Sequence, residues 1–164
     1  MPIFSFDDAT LSQAVSLFIA AVLGGLIGLE REAEHRPAGL RTYTLVSVGA
    51  ALFTLLSIHA FPVEGPRDTA RIAAQIVSGI GFLGAGTVWR SQNQAHGLTT
   101  AAGLWVTAAI GMAAGAGYIV LAAISTVLVL FVLRVLLMFE HRFFAHSHNG
   151  DGYNGNGSDA ESLR

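Results

Sequence analysis

The chain has no cysteine, no lysine, only 4 prolines, and 12% charged residues over 164 positions. Without cysteine there can be neither disulfides nor thiolate metal sites. Without lysine all fixed positive charge rests on arginine. Twelve per cent charge against 52% hydrophobic residues, with mean hydropathy +0.56, is too apolar for an ordinary soluble domain. The formal net charge of −2 says little for so apolar a chain, and no nucleic-acid partner is expected. The partner that composition demands is a lipid bilayer.

What is present falls into five apolar runs, at residues 11–29, 42–61, 72–89, 98–115 and 118–139. Each approaches the ~20 residues that cross a ~30 Å hydrocarbon core. None contains Asp or Glu. The runs are continuous rather than alternating, which argues against a β-barrel and for helices. The expectation is an all-α integral membrane protein: five transmembrane helices within residues 1–142, then a disordered tail at 143–164.

Arginine placement predicts the orientation. Arg31, Arg36 and Arg41 follow the first run, Arg90 follows the third, and Arg134 and Arg142 end the fifth, whereas only Arg67 and Arg71 lie opposite. This bias puts the amino terminus outside and the carboxyl terminus in the cytoplasm. No basic region precedes the first run, so a cleaved leader is not expected, and Thr10 with Gln13 reads as a capping box opening the first helix.

Glycine is plentiful, 19 residues, and regularly spaced. Ser12, Ser16, Ala20, Gly24 and Gly28 recur every fourth residue of the first helix, as do Gly103, Thr107, Gly111 and Gly115 of the fourth. Such ridges let another backbone approach closely, and a homodimer could use one of them. Gly79, Gly81, Gly84 and Gly86 add small residues to the third helix. The GxGxxG within that stretch is not a dinucleotide site, because it lies inside a spanning helix rather than between a strand and a helix. The segment Gly39–Leu52 aligns without gaps on Gly97–Ile110, which suggests two parallel helical-hairpin repeats or a shared composition.

Polar residues at membrane depth are few. Gln75, Ser78 and Thr87 are intramembrane candidates, and Gln75 suits an interhelical hydrogen bond. All carboxylates lie outside the runs, which weighs against a cation path and leaves no metal site. No nucleophile, base and orienting group come together, so no enzyme activity and no cofactor are expected. His141, His146 and His148 lie in the tail and read as adventitious at most. The densest polar feature is the loop Gly28–Thr42. Positive-inside bias explains its arginines but not Glu30 and Glu32. A cytoplasmic polar site is therefore expected at Glu30, Arg31, Glu32, Arg41, Thr42, Arg90, Thr99 and Thr100.

The stretches GGLIGLERE (24–32), RPAGLRTYTLVSVGAAL (36–52), RIAAQIVSGIGFLGAGTV (71–88) and GLTTAAGLWVTAAIGMAAGAGY (97–118) together resemble the MgtC/SapB family of bacterial inner-membrane proteins. The resemblance implies a five-helix, non-enzymatic, multi-pass protein of the inner membrane. It also implies association with growth under magnesium limitation, with survival inside host cells, and with control of other membrane machines such as the proton-translocating ATP synthase. Some relatives bear a magnesium-transport label, so a small-ion transporter or channel is the alternative. The motif residues carried over are Glu30, Arg31, Glu32, Gly39, Leu40, Arg41 and Thr42, with Arg71, Gln75, Gly79, Gly81, Gly84, Gly86, Gly97, Thr99, Thr100 and Trp105. Longer members carry a soluble cytoplasmic domain after the fifth helix, and here only the short tail is expected to follow.

Overall fold

The computed structural model describes residues 7–60, 68, 70–91 and 94–144. Among the described residues are five helices, α1 (Asp8–Ala33), α2 (Leu40–His59), α3 (Ala70–Gly86), α4 (Leu98–Gly115) and α5 (Ile119–Phe144), and one antiparallel strand pair, β1 (Trp89–Ser91) with β2 (Gln94–His96), between α3 and α4. α1, α2 and α4 are each long and apolar enough to cross a membrane, and α3 and α5 contribute the shorter apolar helices Arg71–Gly86 and Ile119–Val135. Packing divides the chain into one compact unit, Met1–Phe131, and a second, Val132–Arg164. Of the tail expected at 143–164, residues 143 and 144 belong to α5, and 145–164, with His146 and His148, lie outside the described residues.

Within the first unit α2 is central. α1 packs on α2 and α4, α4 also packs on α2, and α3 lies mainly on α4 with a lighter contact to α2. Glycine makes these approaches possible. A Cβ on Gly24 would stand 2.5 Å from Ser47 Cβ, and one on Gly28 2.7 Å from Leu40 Cα. From the other side, a Cβ on Gly103 would stand 2.5 Å from the Tyr43 hydroxyl, and one on Gly115 2.5 Å from Ala51 O, while one on Gly111 would collide with the Ser47 carbonyl. The ridges of α1 and α4 are thus occupied by α2 of the same chain. Ser12, at the start of the α1 series, is exposed. The opposite stripe of α1, Leu11, Val15, Phe18, Val22, Leu26 and Leu29, is exposed at helical spacing, as a lipid-facing surface requires.

Only α4 keeps both boundaries read in the sequence; α2 spans 40–59 instead of 42–61, α3 begins at Ala70 instead of 72, and α5 spans 119–144 instead of 118–139. α1 starts earlier because Asp7, not Thr10, is the N-cap: its carboxylate accepts from Thr10 N at 2.9 Å and from the Thr10 hydroxyl at 2.5 Å. A carboxylate is the stronger acceptor for free N–H groups at a helix start. α1 also runs on to Ala33, and ends where His35 takes a left-handed φ of 53°. There His35 N bonds Glu32 O at 3.0 Å and Arg36 N bonds Arg31 O at 3.1 Å, the paired return of a Schellman cap. α3 stops at Gly86 instead of 89, because the chain turns into the hairpin. Gly97 then opens α4 at φ 86°, where a Cβ would strike the Thr87 carbonyl.

Candidate functional site

The polar centre of the molecule is built on the last turns of α1. Arg31 is 1% exposed and Glu30 5% exposed. Adjacent helical residues point roughly 100° apart, so pairing them requires both long side chains to curl together. They do so as a fork: Arg31 Nε donates to Glu30 Oε2 at 2.5 Å and Nη2 to Oε1 at 2.6 Å. Such a fork is the geometry in which a guanidinium holds a carboxylate best. Arg31 also lies in the last turn of its helix, where positive charge complements the helix dipole.

Tyr43, fully buried, extends this centre across the helices. Its hydroxyl donates to the Thr100 carbonyl of α4 at 3.3 Å, in the space left by the missing Cβ of Gly103. One turn deeper, Ser47 Oγ donates to Ala20 O of α1 at 2.7 Å. Thr107 on α4 is fully buried, and its hydroxyl has no hydrogen-bond partner among the described residues. Sequence reasoning missed Tyr43. The available signal was a tyrosine, one of 3 in the chain, whose hydroxyl must find a partner if it enters a packed span.

The remaining loop charges are distributed differently. Glu32 Oε2 accepts from Leu40 N at 2.8 Å, so it caps α2 from eight residues away. Gly39 makes room for it, since a Cβ there would stand 2.8 Å from that oxygen. Arg41 and Thr42 are exposed and line the upper end of a groove of about 490 Å³ between α2 and α3, otherwise walled by apolar groups and closed at its base by Ala108 of α4. Arg90 is exposed on β1, beside a stack of the Trp89 and His96 rings at 5.7 Å, and Thr99 is exposed on α4. The eight expected polar residues therefore separate into a buried core of Glu30, Arg31 and Thr100, a cap at Glu32, a groove mouth at Arg41 and Thr42, and a surface at Arg90 and Thr99.

The intramembrane candidates lie on α3. Gln75 and Ser78 are exposed there instead of reaching into the bundle, and the half-buried Thr87 donates to Gly84 O at 2.8 Å. Gly84 packs on Ala101 of α4, whereas a Cβ on Gly79, Gly81 or Gly86 would meet nothing within 4 Å. Among the described residues no cluster of His, Cys, Asp or Glu could hold a metal ion.

The MgtC family model matches residues 17–142. Protein MgtC of Brucella abortus (strain 2308) is 52% identical over 123 residues, covering 75% of this chain and 50% of the relative. Protein MgtC of Salmonella typhimurium (strain 14028s / SGSC 2262) is 48% identical over 116 residues, 71% of this chain and 48% of the relative. The Escherichia coli (strain K12) protein named "Putative magnesium transporter YhiD" is 40% identical over 145 residues, 85% of this chain and 67% of the relative. The chain spans about half the length of the two MgtC proteins. No solved structure matches.

Proposed function

This chain belongs to the MgtC family, and we propose from that membership that it is a non-catalytic protein of the bacterial inner membrane that binds and modulates other membrane proteins. Its amino terminus is outside and its carboxyl terminus cytoplasmic, as the arginine bias requires. Its setting is adaptation to low magnesium or to life in a host, with an enzyme such as the ATP synthase as a partner of the right kind.

The observation that carries this reading is how the polar interior is used. Glu30 and Arg31 neutralise each other, Tyr43 and Ser47 tie α2 to α4 and α1, and Glu32 caps a helix. These groups hold the helices together; an ion path would need them free to replace lost water. The side of α3 turned away from the groove, in contrast, presents Gly81 with open space above it, where another helix can approach closely. Affinity capture from membranes of magnesium-starved cells tests it. A membrane-protein partner should be recovered with wild type and lost with Gly81→Leu; recovery of the same partner by both would sink the reading.

A second reading, small-ion transport, is favoured by the buried Thr107 hydroxyl, which has no hydrogen-bond partner among the described residues, and by the name of the E. coli relative. Magnesium and proton flux should be measured on purified protein in liposomes. Flux that disappears in Thr107→Val would establish transport over modulation, and no flux above empty liposomes would remove it.

A further inference from the structure

The groove between α2 and α3 has a chemistry that the proposed function leaves unused. Its walls are Leu45, Val46, Phe53, Ile76, Ile80 and Leu83, with Gly49 and Gly79 leaving open space on facing sides. Leu45, Phe53 and Leu83 are 71%, 56% and 50% exposed, so the groove opens laterally, away from the bundle. From Arg41 to Phe53 it follows twelve residues of α2, roughly 18 Å at the helical rise. That is close to the depth of one leaflet of a ~30 Å hydrocarbon core. Arg41 stands at the upper end.

Arg31 is neutralised by Glu30, and Glu32 is engaged at the α2 amino terminus. Among the described residues no carboxylate pairs with Arg41, and the rest of the groove offers only Thr42 as a polar side chain. An unpaired guanidinium at the head of an apolar slot one leaflet deep is complementary to one kind of molecule: an anion attached to an acyl chain.

We propose that this groove is a specific site for an anionic phospholipid, with one acyl chain along α2 and α3 between Gly49 and Gly79 and the headgroup phosphate on Arg41 and Thr42. The site discriminates by charge at its mouth and by width at its middle. It is separate from the outward face carrying Gly81, which does not line the groove.

Native mass spectrometry of the delipidated protein, titrated with phosphatidylglycerol or phosphatidylethanolamine of identical acyl chains, tests the proposal. Wild type should retain phosphatidylglycerol roughly fivefold better, the worth of one basic side chain at an anionic headgroup. Arg41→Gln should reduce that preference to parity, whereas Arg36→Gln, which removes an equal charge from the neighbouring loop, should keep it. Gly79→Leu should displace both lipids at unchanged helical circular dichroism, and Gly81→Leu should displace neither. Equal retention of the two lipids by wild type, an equal loss from Arg36→Gln, or an equal effect of the two glycine variants would each overturn the site.

Discussion

Glu30 and Arg31 are neighbours in the chain, both buried, and bonded to each other through two nitrogens. Their pairing stabilises little beyond the cost of removing two charges from water, but breaking it on one side leaves a bare buried charge. Glu30→Gln should therefore lower unfolding free energy in detergent by about 3–5 kcal/mol. The double variant Glu30→Leu with Arg31→Met should recover most of that loss, and a double variant as unstable as the single one would show that the pair is more than a compensated charge. Thr107 is the opposite case. Its buried hydroxyl makes no hydrogen bond among the described residues, so Thr107→Val should raise stability by about 1 kcal/mol, read by the same unfolding measurement. The sequence marked Glu30 and Arg31 because no topological rule asks for an acid beside the positive-inside arginines. It could not say that they pair, since neighbours on an ideal helix diverge.

The ends of the helices show where sequence patterns mislead. The apolar runs locate all the helices because hydropathy alone dictates them in a bilayer, yet their limits depend on capping. At the start of α1 the Asp7 carboxylate, which accepts two bonds from Thr10, is held below its ordinary value mainly by the Thr10 hydroxyl. A carboxyl depressed on folding contributes fully above its unfolded value, near 3.9, and loses that contribution as pH falls through the lowered folded value. Amide exchange in the first turn should thus be faster in Asp7→Ala than in wild type at neutral pH. The two should converge as pH drops below the ordinary carboxylate range; a constant difference would exclude the carboxylate cap. At the other end His35 occupies the left-handed position of a Schellman cap, where glycine is at ease. His35→Gly should stabilise the protein by roughly 1 kcal/mol, measured by thermal unfolding. The β1–β2 hairpin was not legible at all. Its strands, WRS and QAH, are three residues each, too short for an alternating pattern to emerge.

For the molecule as a whole, the decisive fact is which glycines face inward. Gly111→Ala should cost about 2 kcal/mol, because the new methyl meets the Ser47 backbone. Gly79→Ala meets nothing and should gain up to about 1 kcal/mol from helix propensity; equal effects in a detergent unfolding series would contradict this packing. The sequence showed the small-residue ridges, but spacing cannot say whether a ridge meets its own chain or another, and only the placement of α2 decides it. The aligned segments behave alike in one respect. Tyr43 and Ala101, paired by the ungapped match, each receive a glycine from the preceding helix, Gly24 and Gly84. Because α2 is covered on one side by the helix before it and on the other by α4, these surfaces cannot be completed together as the chain emerges. α1 and α2 can close on one another at once, through Gly24, Gly28 and the Ser47 bond to Ala20. The Tyr43 hydroxyl must wait for a carbonyl that is synthesised 57 residues later. Until α3 and α4 have both been made, the Tyr43 hydroxyl on the α4-facing side of α2 lacks the carbonyl it bonds in the folded chain, so biogenesis passes through a two-helix stage with that polar group uncovered.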